Sequence, residues 1–282
     1  MLDRHPALLP GLLGSKADFT RNFRKPIENG RDRDVRERLR RRIRPFLLRR
    51  TKDQVVADLP EKTEVTRTIM LEGRQRDLYE TLRASYAEEI RGYIAEQSFD
   101  RNRMRVLEGL MRLRQVCCDP RLIASEGSKT APSAKLDYLM EMLHELIAAG
   151  RRILVFSQFT SMLELIEADL ASERIRYVKL TGQTEDRATP VQRFQRGEVP
   201  VFLISLRAGG FGLNLTRADT VIHYDPWWNP AVESQATDRA HRIGQDKPVF
   251  VYRLIAGDTV EERILALQAR KAALAEGVRG HD

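Results

Sequence analysis

The chain has 282 residues, 42% of them hydrophobic, and this length allows either one large domain or two smaller ones. It contains no run of about 18 apolar residues, which argues against a membrane-spanning helix and against a membrane partner. Its two cysteines, Cys117 and Cys118, are adjacent and form neither a zinc motif nor a disulfide framework, so we expect reduced core residues in a cytoplasmic protein.

The formal net charge of +8 is unevenly distributed along the chain. Residues 1–52 contain 16 Lys/Arg and 6 Asp/Glu, a balance of +10, whereas the remaining residues sum to −2. A general attraction to nucleic acid is therefore expected in the N-terminal fifth. The rest of the chain has to recognise its partners through individually placed groups.

The first clear helix is predicted from Val35 to Phe46, after short helical turns in residues 1–35. Its apolar residues recur at helical spacing, and arginines surround this stripe. Two readings stay open for these arginines: a solvated helix face, or a surface that follows nucleic-acid phosphates. The arginines that we single out as candidate DNA-binding residues are Arg40, Arg41 and Arg42.

A strand and a pair of helices are predicted next. The alternation of apolar and polar residues over Thr63–Leu71 is typical of a strand. Apolar stripes through Leu78–Tyr93 and Met104–Val116 predict an antiparallel helical pair. A polar linker, Ser125–Pro132, follows.

From Lys135 onward, short apolar strands alternate with helices. We predict strands at 153–156, 177–180, 201–205, 221–224 and 249–254. Helices are predicted at 135–148, 161–170 and 187–196, after the capping residue Asn229, and from Val260 to about Ala275, with Thr259 and Glu262 as a capping box. Strands that are apolar on both faces and separated by helices predict an α/β fold, a parallel sheet with helices on both faces.

Polar loops follow four of the predicted strands, at residues 157–160, 181–184, 206–214 and 225–230. In a parallel sheet these loops meet at the carboxyl edge, where function usually gathers. Their hydroxyl groups and glycine-exposed backbone N–H groups suit phosphate oxygens. Together they predict a long ligand that carries phosphates.

The segment Gln235–Gln245 is the second candidate. Arg239 and Arg242 are three residues apart, which on a helix would place both guanidinium groups on one face. Two planar, permanently charged groups on one face suit an anion with several oxygens. A surface helix whose arginines meet acids or water carries the same pattern, so the spacing leaves both readings open.

These segments resemble the motifs of the switch/sucrose-non-fermenting (SWI/SNF) family of DNA-dependent ATPases, within helicase superfamily two. Ile153–Phe159 is similar to motif IV, Ser205–Leu215 to motif V and Gln235–Gln245 to motif VI. The resemblance covers roughly residues 1–265. It implies a C-terminal RecA-like lobe. The residue sequence of Asp225–Pro230 is more similar to that of bacterial members.

The resemblance implies roles near a nucleotide. Arg239 and Arg242 match arginine fingers that reach ATP phosphates across a cleft between two lobes. The residues that match other nucleotide-proximal positions are Gln235, Gly212 and Asn214.

It also implies roles near duplex DNA. Ser157, Thr181 and Ser205 match positions close to the DNA backbone. Trp228 matches a family tryptophan close to DNA, although a packed core aromatic residue is an equal alternative for it. Its neighbour Trp227 is expected to be structural.

Nothing in the 282 residues has the P-loop spacing Gly-x-x-x-x-Gly-Lys-[Ser/Thr], and no apolar strand ends in an Asp-Glu pair that could hold magnesium. The resemblance therefore implies that the family's N-terminal RecA-like lobe is missing here and is a partner of this chain. ATP and magnesium are expected in the two-lobe enzyme. The chain alone is expected to bind neither and to hydrolyse no appreciable ATP.

The predicted organisation has five parts. They are the end of a first-lobe helical protrusion at 1–46, an inter-lobe connector at 47–62, the first strand and a second helical protrusion at 63–128, the RecA-like lobe at 129–265 and a C-terminal helix or tail at 266–282. We expect a bacterial, nucleoid-associated protein. A stand-alone duplex-DNA-binding module is the alternative, and an RNA helicase lobe is disfavoured by the connector and the Trp228–Pro230 turn.

Overall fold

The computed structural model describes residues 13, 15–28, 33–43, 59–95, 102–123, 131–206, 208 and 213–277. It divides the chain into two compact units, residues 1–57 and 58–282, and this division falls inside the predicted connector. Gly212, most of the connector, most of the 125–132 linker and the side chain of Arg40 lie outside the described residues.

The first unit is helical where it is described. Its helices are α1 (Lys16–Phe19), a π-helical turn (Thr20–Arg24), α2 (Lys25–Glu28) and α3 (Arg33–Ile43). In α3, which corresponds to the predicted arginine-rich helix, Val35 is buried while Arg41 and Arg42 are exposed. Arg41 forms a long, solvent-exposed ion pair with Glu37, at 3.7 Å. Arg41 and Arg42 are therefore accessible to solvent or to an anionic partner.

The second unit is built on a six-stranded, entirely parallel sheet, as predicted. Its strands are β1 (Lys62–Ile69), β2 (Ile153–Ser157), β3 (Tyr177–Leu180), β4 (Val201–Ser205), β5 (Thr220–His223) and β6 (Val249–Ala256). The order across the sheet is β1-β6-β5-β2-β4-β3. The short strands β2, β4 and β5 are buried along their whole length because helices cover both faces.

Helices α6 to α10 cover the sheet and alternate with its strands, as predicted. They are α6 (Ala134–Ala148), α7 (Thr160–Ser172), α8 (Ala188–Gln195), α9 (Pro230–Thr237) and α10 (Val260–Gly277). One core cluster joins α6 and α7 to one face, and a second joins α8 and α9 to the other. Among the described helices, none combines the length and hydrophobicity needed to cross a bilayer.

The predicted helical pair is formed by α4 (Gly73–Ala95) and α5 (Arg103–Cys118). The two helices pack tightly at Gly109, where an added Cβ would lie 2.8 Å from the ring of Tyr86. Cys117 and Cys118, at the end of α5, are buried free thiols, as predicted. This end of the pair shares a core cluster with α10.

A buried ion pair ties α6 to α10 and to the ends of two strands. Lys135 Nζ donates to Glu261 Oε2 at 2.6 Å, to Tyr224 O at 3.1 Å and to Leu254 O at 3.4 Å. Although burial disfavours its charge, the Glu261 carboxylate raises the pKa of Lys135. Glu261 Oε2 also accepts the Ala256 N–H at 2.8 Å.

This pair changes how α10 begins. The predicted capping box used Glu262, but Glu262 is exposed. Thr259 Oγ1 instead accepts the N–H of Glu261 at 3.1 Å, and the buried acid is Glu261. Thr259 therefore caps α10 as predicted, whereas the buried acid of the first turn is Glu261, which bonds to Lys135 and to the end of β6, and not Glu262.

We predict that Lys135→Met lowers the free energy of unfolding by about 3–5 kcal/mol, since it leaves Glu261 buried and unpaired. Adding Glu261→Gln removes that charge, keeps an acceptor for the Ala256 N–H, and should recover part of the loss. Urea unfolding of the chain measures both. The control is Lys179→Met, which breaks a partly exposed pair with Glu167 and should cost about 1 kcal/mol or less. Equal losses for the two lysines would contradict the role of burial.

A second buried side chain, His223, joins β5 to α9. Its Nε2 lies 3.0 Å from Thr237 Oγ1, and its ring stacks on Phe156 with 5.6 Å between centroids. Burial, followed by the positive charge of Arg253, lowers the pKa of His223 from 6.5 to about 3. The folded chain therefore holds this imidazole neutral at pH values where the unfolded chain binds a proton.

Because the unfolded state binds the extra proton, stability should fall as the pH drops below about 6.5 toward 3. We expect His223 alone to account for roughly 2 kcal/mol of lost stability between pH 6.5 and pH 5. Urea unfolding at pH 7, 6 and 5 measures the loss, and His223→Asn should flatten this part of the profile. Identical slopes for both chains would contradict the prediction.

Candidate functional site

The candidate residues lie at two opposite edges of the sheet. Ser157 and Ser205 end β2 and β4, so they lie at the carboxyl edge. The arginine segment Gln235–Gln245 contacts the amino edge, where all parallel strands begin. Gln245 Nε2 donates to Ala218 O at 2.7 Å, just before β5. His241 Nε2 donates to Pro60 O at 2.8 Å, just before β1.

The arginines of this segment do not lie on a helix. α9 ends at Thr237, and Arg239 and Arg242 occupy the turns that follow it. The helix stops because its next carbonyl groups bond elsewhere. Arg239 O accepts the Leu215 N–H at 3.0 Å, and Ala240 O accepts from Gln245 Nε2 at 3.1 Å. The two arginines therefore do not share a helical face, although Arg242 is close enough for its charge to lower the pKa of Arg239.

The two guanidinium groups form a concentration of positive charge. Arg242 is exposed, and its Nη1 reaches Leu213 O only at 3.5 Å. Arg239 is partly buried, and its pKa is lowered first by burial and then by the charge of Arg242, with Asp238 opposing. An anion placed between these groups would relieve this repulsion.

Of the other nucleotide candidates, Gln235 lies close to this pair along the chain, and Asn214 precedes Leu215, whose N–H bonds to the arginine turn. Asn214 is exposed, and its carbonyl accepts from Gln195 Nε2 at 3.0 Å, which fixes the backbone before β5. Its neighbour Leu215 carries the N–H that bonds Arg239 O. Gln235 is exposed on α9, one helical turn before Arg239. The motif V segment and the arginine turn are thus held together by a backbone bond.

At the carboxyl edge, the hydroxyl groups mainly shape the turns. Ser157 is fully buried, and its hydroxyl donates to Asp225 Oδ1 at 2.6 Å and accepts the Phe159 N–H at 3.1 Å. Ser205 is also buried and accepts the Ala208 N–H at 3.3 Å. Thr181 is partly exposed and accepts the N–H of the following turn.

The Asp225–Pro230 turn carries the two tryptophans. Trp228 has a relative exposure of 36% and is not a core residue. Trp227 is partly buried, and its backbone N–H donates to Glu233 Oε1, on a buried carboxylate, at 2.6 Å. Asn229 Oδ1 caps α9 by accepting the Ala231 N–H at 3.1 Å, as predicted.

Sequence reasoning missed three residues that build this edge: Arg114, Asp225 and Glu233. Each is buried and charged, and each bonds to residues of the tryptophan turn or its neighbours. The signal available in sequence was weak, because a single charged residue on an amphipathic helix or after a strand is usually solvated. In the part of the chain that is described, no group of three or more His, Cys, Asp and Glu residues could hold a metal ion.

Comparison with known families assigns both halves of the chain. Residues 6–122 match the SNF2-related domain, and residues 134–244 match the helicase conserved C-terminal domain. An uncharacterized ATP-dependent helicase of Mycoplasma pneumoniae is 39% identical over 270 residues, which cover 95% of this chain and 25% of that protein. The human SWI/SNF-related matrix-associated actin-dependent regulator of chromatin subfamily A member 1 is 38% identical, covering 92% and 25%.

A solved structure gives the same assignment. The SWI2/SNF2 ATPase core of Sulfolobus solfataricus in complex with dsDNA matches with a TM-score of 0.64 and 34% identity, covering 94% of this chain and 56% of that one. The chain spans about a quarter of the length of the two relatives above. With both family matches, the parallel sheet and the motif segments in agreement, the chain belongs to the SWI/SNF family, and its sheet is the RecA-like C-terminal lobe of that family.

Proposed function

We propose that this chain is the C-terminal motor lobe of an ATP-driven translocase on duplex DNA. In this proposal Arg239 and Arg242 complete an ATP site that an N-terminal RecA-like lobe provides. The carrying observation is the arginine turn itself. The charge of Arg242 is close enough to lower the pKa of Arg239, and Arg242 is exposed. Hydrogen bonds from Gln245 and His241 hold the turn against the amino edge of the sheet.

The chemistry of phosphoryl transfer explains why such a turn is useful. Negative charge spreads over the oxygens of the transferring phosphoryl group, and a guanidinium placed there stabilises it. Because the bonds of Gln245 and Leu215 fix the turn beforehand, little reorganisation is needed when the lobes close. Gln235, Asn214 and Gly212 are proposed to line the same side of the nucleotide.

The donor set supports half of an ATP site. The residues at the amino edge supply positive charge but no cluster of carboxylates within the described part of the chain, so we propose that magnesium and the phosphate-binding loop belong to the N-terminal lobe. When bound there, magnesium would supply positive charge that offsets the charge of the phosphates. This chain contributes the two guanidinium groups and the surfaces that bind DNA.

We propose that duplex DNA lies along the carboxyl edge. Trp228 and Thr181 present accessible groups there, whereas the buried Ser157 and Ser205 hydroxyls position the turns that meet the backbone. The Sulfolobus relative, which is in complex with dsDNA, supports duplex DNA as the partner. Nucleotide and DNA would then occupy opposite edges of one sheet.

In the two-lobe enzyme, Arg242→Ala should lower the turnover of ATP by a factor on the order of 10³–10⁵, the range observed for arginine fingers. Duplex-DNA affinity should stay unchanged, because Arg242 lies at the opposite edge. Steady-state ATP hydrolysis at saturating DNA is the measurement. The matched control is Arg196→Ala, an exposed arginine with only a long ion pair to Glu198. Unchanged turnover in Arg242→Ala would falsify the finger role.

The isolated 282-residue chain is expected to hydrolyse no appreciable ATP with or without duplex DNA, and restored turnover is expected when the N-terminal lobe is present. DNA-stimulated ATP hydrolysis by the pure chain would contradict the proposal that it supplies only half of an ATP site.

A second function, duplex binding by the chain alone, is favoured by the exposed arginines of α3 and the +10 balance of residues 1–52. Replacing Arg40, Arg41 and Arg42 with alanine should flatten the dependence of log affinity on log salt by about 0.9 for each phosphate that is no longer neutralised. Filter binding or fluorescence anisotropy between 50 and 200 mM salt, roughly the range where such slopes are clear, measures this.

The matched control replaces Arg103, Arg105 and Arg174, which are exposed in the second unit. Equal slopes for the wild type and the α3 variant would exclude α3 as the DNA anchor. Competition by duplex RNA as strong as that by duplex DNA would favour an RNA helicase lobe instead.

A further inference from the structure

Side chains from three helices hold the backbone that leaves β5. Lys135 on α6 donates to Tyr224 O, Arg114 on α5 donates to Pro226 O, and Gln268 on α10 donates to Trp227 O. Three of the four residues that precede Trp228 therefore have their carbonyl groups bonded from outside the turn. The exposed indole stands at the end of a backbone that is fixed from several sides.

Arg114 makes the widest set of these interactions. Its Nη1 donates to Gln158 Oε1 at 2.9 Å, its Nη2 donates to Pro226 O, and Nη2 lies 3.7 Å from Asp225 Oδ2. Its guanidinium carbon lies 5.3 Å from the centroid of the Trp228 ring and 5.7 Å from that of Phe159. One buried side chain of the helical pair thus touches the loops that follow both β2 and β5.

These interactions require an arginine. A guanidinium can donate in two directions from one plane and stack its face on an aromatic ring at the same time. A lysine has one compact charge and can satisfy only part of this set. The arrangement therefore depends on the shape of the group as well as on its charge.

The cluster is poorly arranged for stability alone. Within the described residues, Arg114 Nε and Asp225 Oδ2 are buried without a hydrogen-bond partner. Burial raises the pKa of Asp225, although Arg114 and Ser157 oppose this. A buried pair with imperfect geometry gives little or no net stabilisation. What the cluster does provide is a fixed geometry for the tryptophan turn.

We propose that Arg114 is a positioning residue that holds the Trp228 indole in its DNA-binding orientation and links the α4–α5 helical pair to the DNA-facing edge. The part concerning DNA rests on the proposed function of Trp228, whereas the ordering of the turn does not. Arg114 itself is buried, with 3% relative exposure, so it acts through Trp228 and not by direct contact with DNA.

The chain is well suited to a spectroscopic test, because Trp227 and Trp228 are its only tryptophans. In a Trp227→Phe background, intrinsic fluorescence reports on Trp228 alone. Arg114→Lys keeps the positive charge but removes the planar guanidinium that contacts the Trp228 ring. We therefore expect acrylamide to quench Trp228 more strongly and its emission to shift to longer wavelength. Arg112→Lys, two residues earlier on the same helix, is the matched control and should leave both signals unchanged.

The second readout is DNA binding. Without the guanidinium stacked on the indole, the duplex-DNA affinity of the chain should weaken by roughly 2- to 30-fold, the equivalent of one cation–π interaction. In the two-lobe enzyme, the DNA concentration for half-maximal ATPase activity should rise by a similar factor, while turnover at saturating DNA stays near the wild-type value. A residue with a merely structural role would lower stability without this separation.

The outcomes separate this proposal from the function on which part of it rests. Unchanged quenching in a folded Arg114→Lys chain overturns the positioning role. A loss of affinity in Trp228→Ala but not in Arg114→Lys also overturns it. Unchanged affinity in Trp228→Ala overturns the proposed DNA contact, whatever Arg114→Lys does to quenching.

If Arg114→Lys fails to fold, the double variant Arg114→Gln with Asp225→Asn removes both buried charges. It must show the same increase in quenching for the proposal to stand.

Discussion

The burial of β5 between β2 and β6 is the constraint on which both candidate edges depend. β5 has four residues, all buried, and each of its ends is held within a residue or two of the strand. Before it, Ala218 O takes a hydrogen bond from Gln245, and after it, Tyr224 O takes one from Lys135. A strand this short spans only about 13 Å, so it sets the distance between the arginine turn and the tryptophan turn.

The amino and carboxyl edges of the sheet differ in where their charged side chains lie. At the amino edge, carbonyl and amide bonds hold a backbone turn and leave the arginine side chains exposed or partly exposed. At the carboxyl edge, buried Arg114, Asp225 and Glu233 hold the turn and leave an aromatic ring exposed. The charged side chains are thus exposed or partly exposed at the amino edge, where a phosphate is proposed to bind. At the carboxyl edge they are buried and support the turn that presents Trp228.

The sequence was sufficient for the sheet and its helices because each strand is a short apolar run and each helix has an apolar stripe, so local pattern and burial agree. It was insufficient where a distant residue decides the local structure. The spacing of Arg239 and Arg242 suits a helix, but α9 ends at Thr237 and the carbonyl oxygen of Arg239 accepts the N–H of the distant Leu215 instead. Arg114 was missed because its partners Gln158 and Pro226 lie 44 and 112 residues away. The roles of these residues toward ATP and DNA stay predictions.

One helix spans the distance between the two edges. α9 begins at the turn that carries Trp228 and ends two residues before Arg239, and its eight residues extend over about 12 Å. A helix of this length couples the positions of its two ends when it tilts as a rigid body. Tilting it by roughly 10° about one end displaces the other by about 2 Å, given its rise per residue. Such a displacement exceeds the distance range of a hydrogen bond, so the angle of the tryptophan turn and the reach of the arginines cannot be adjusted independently.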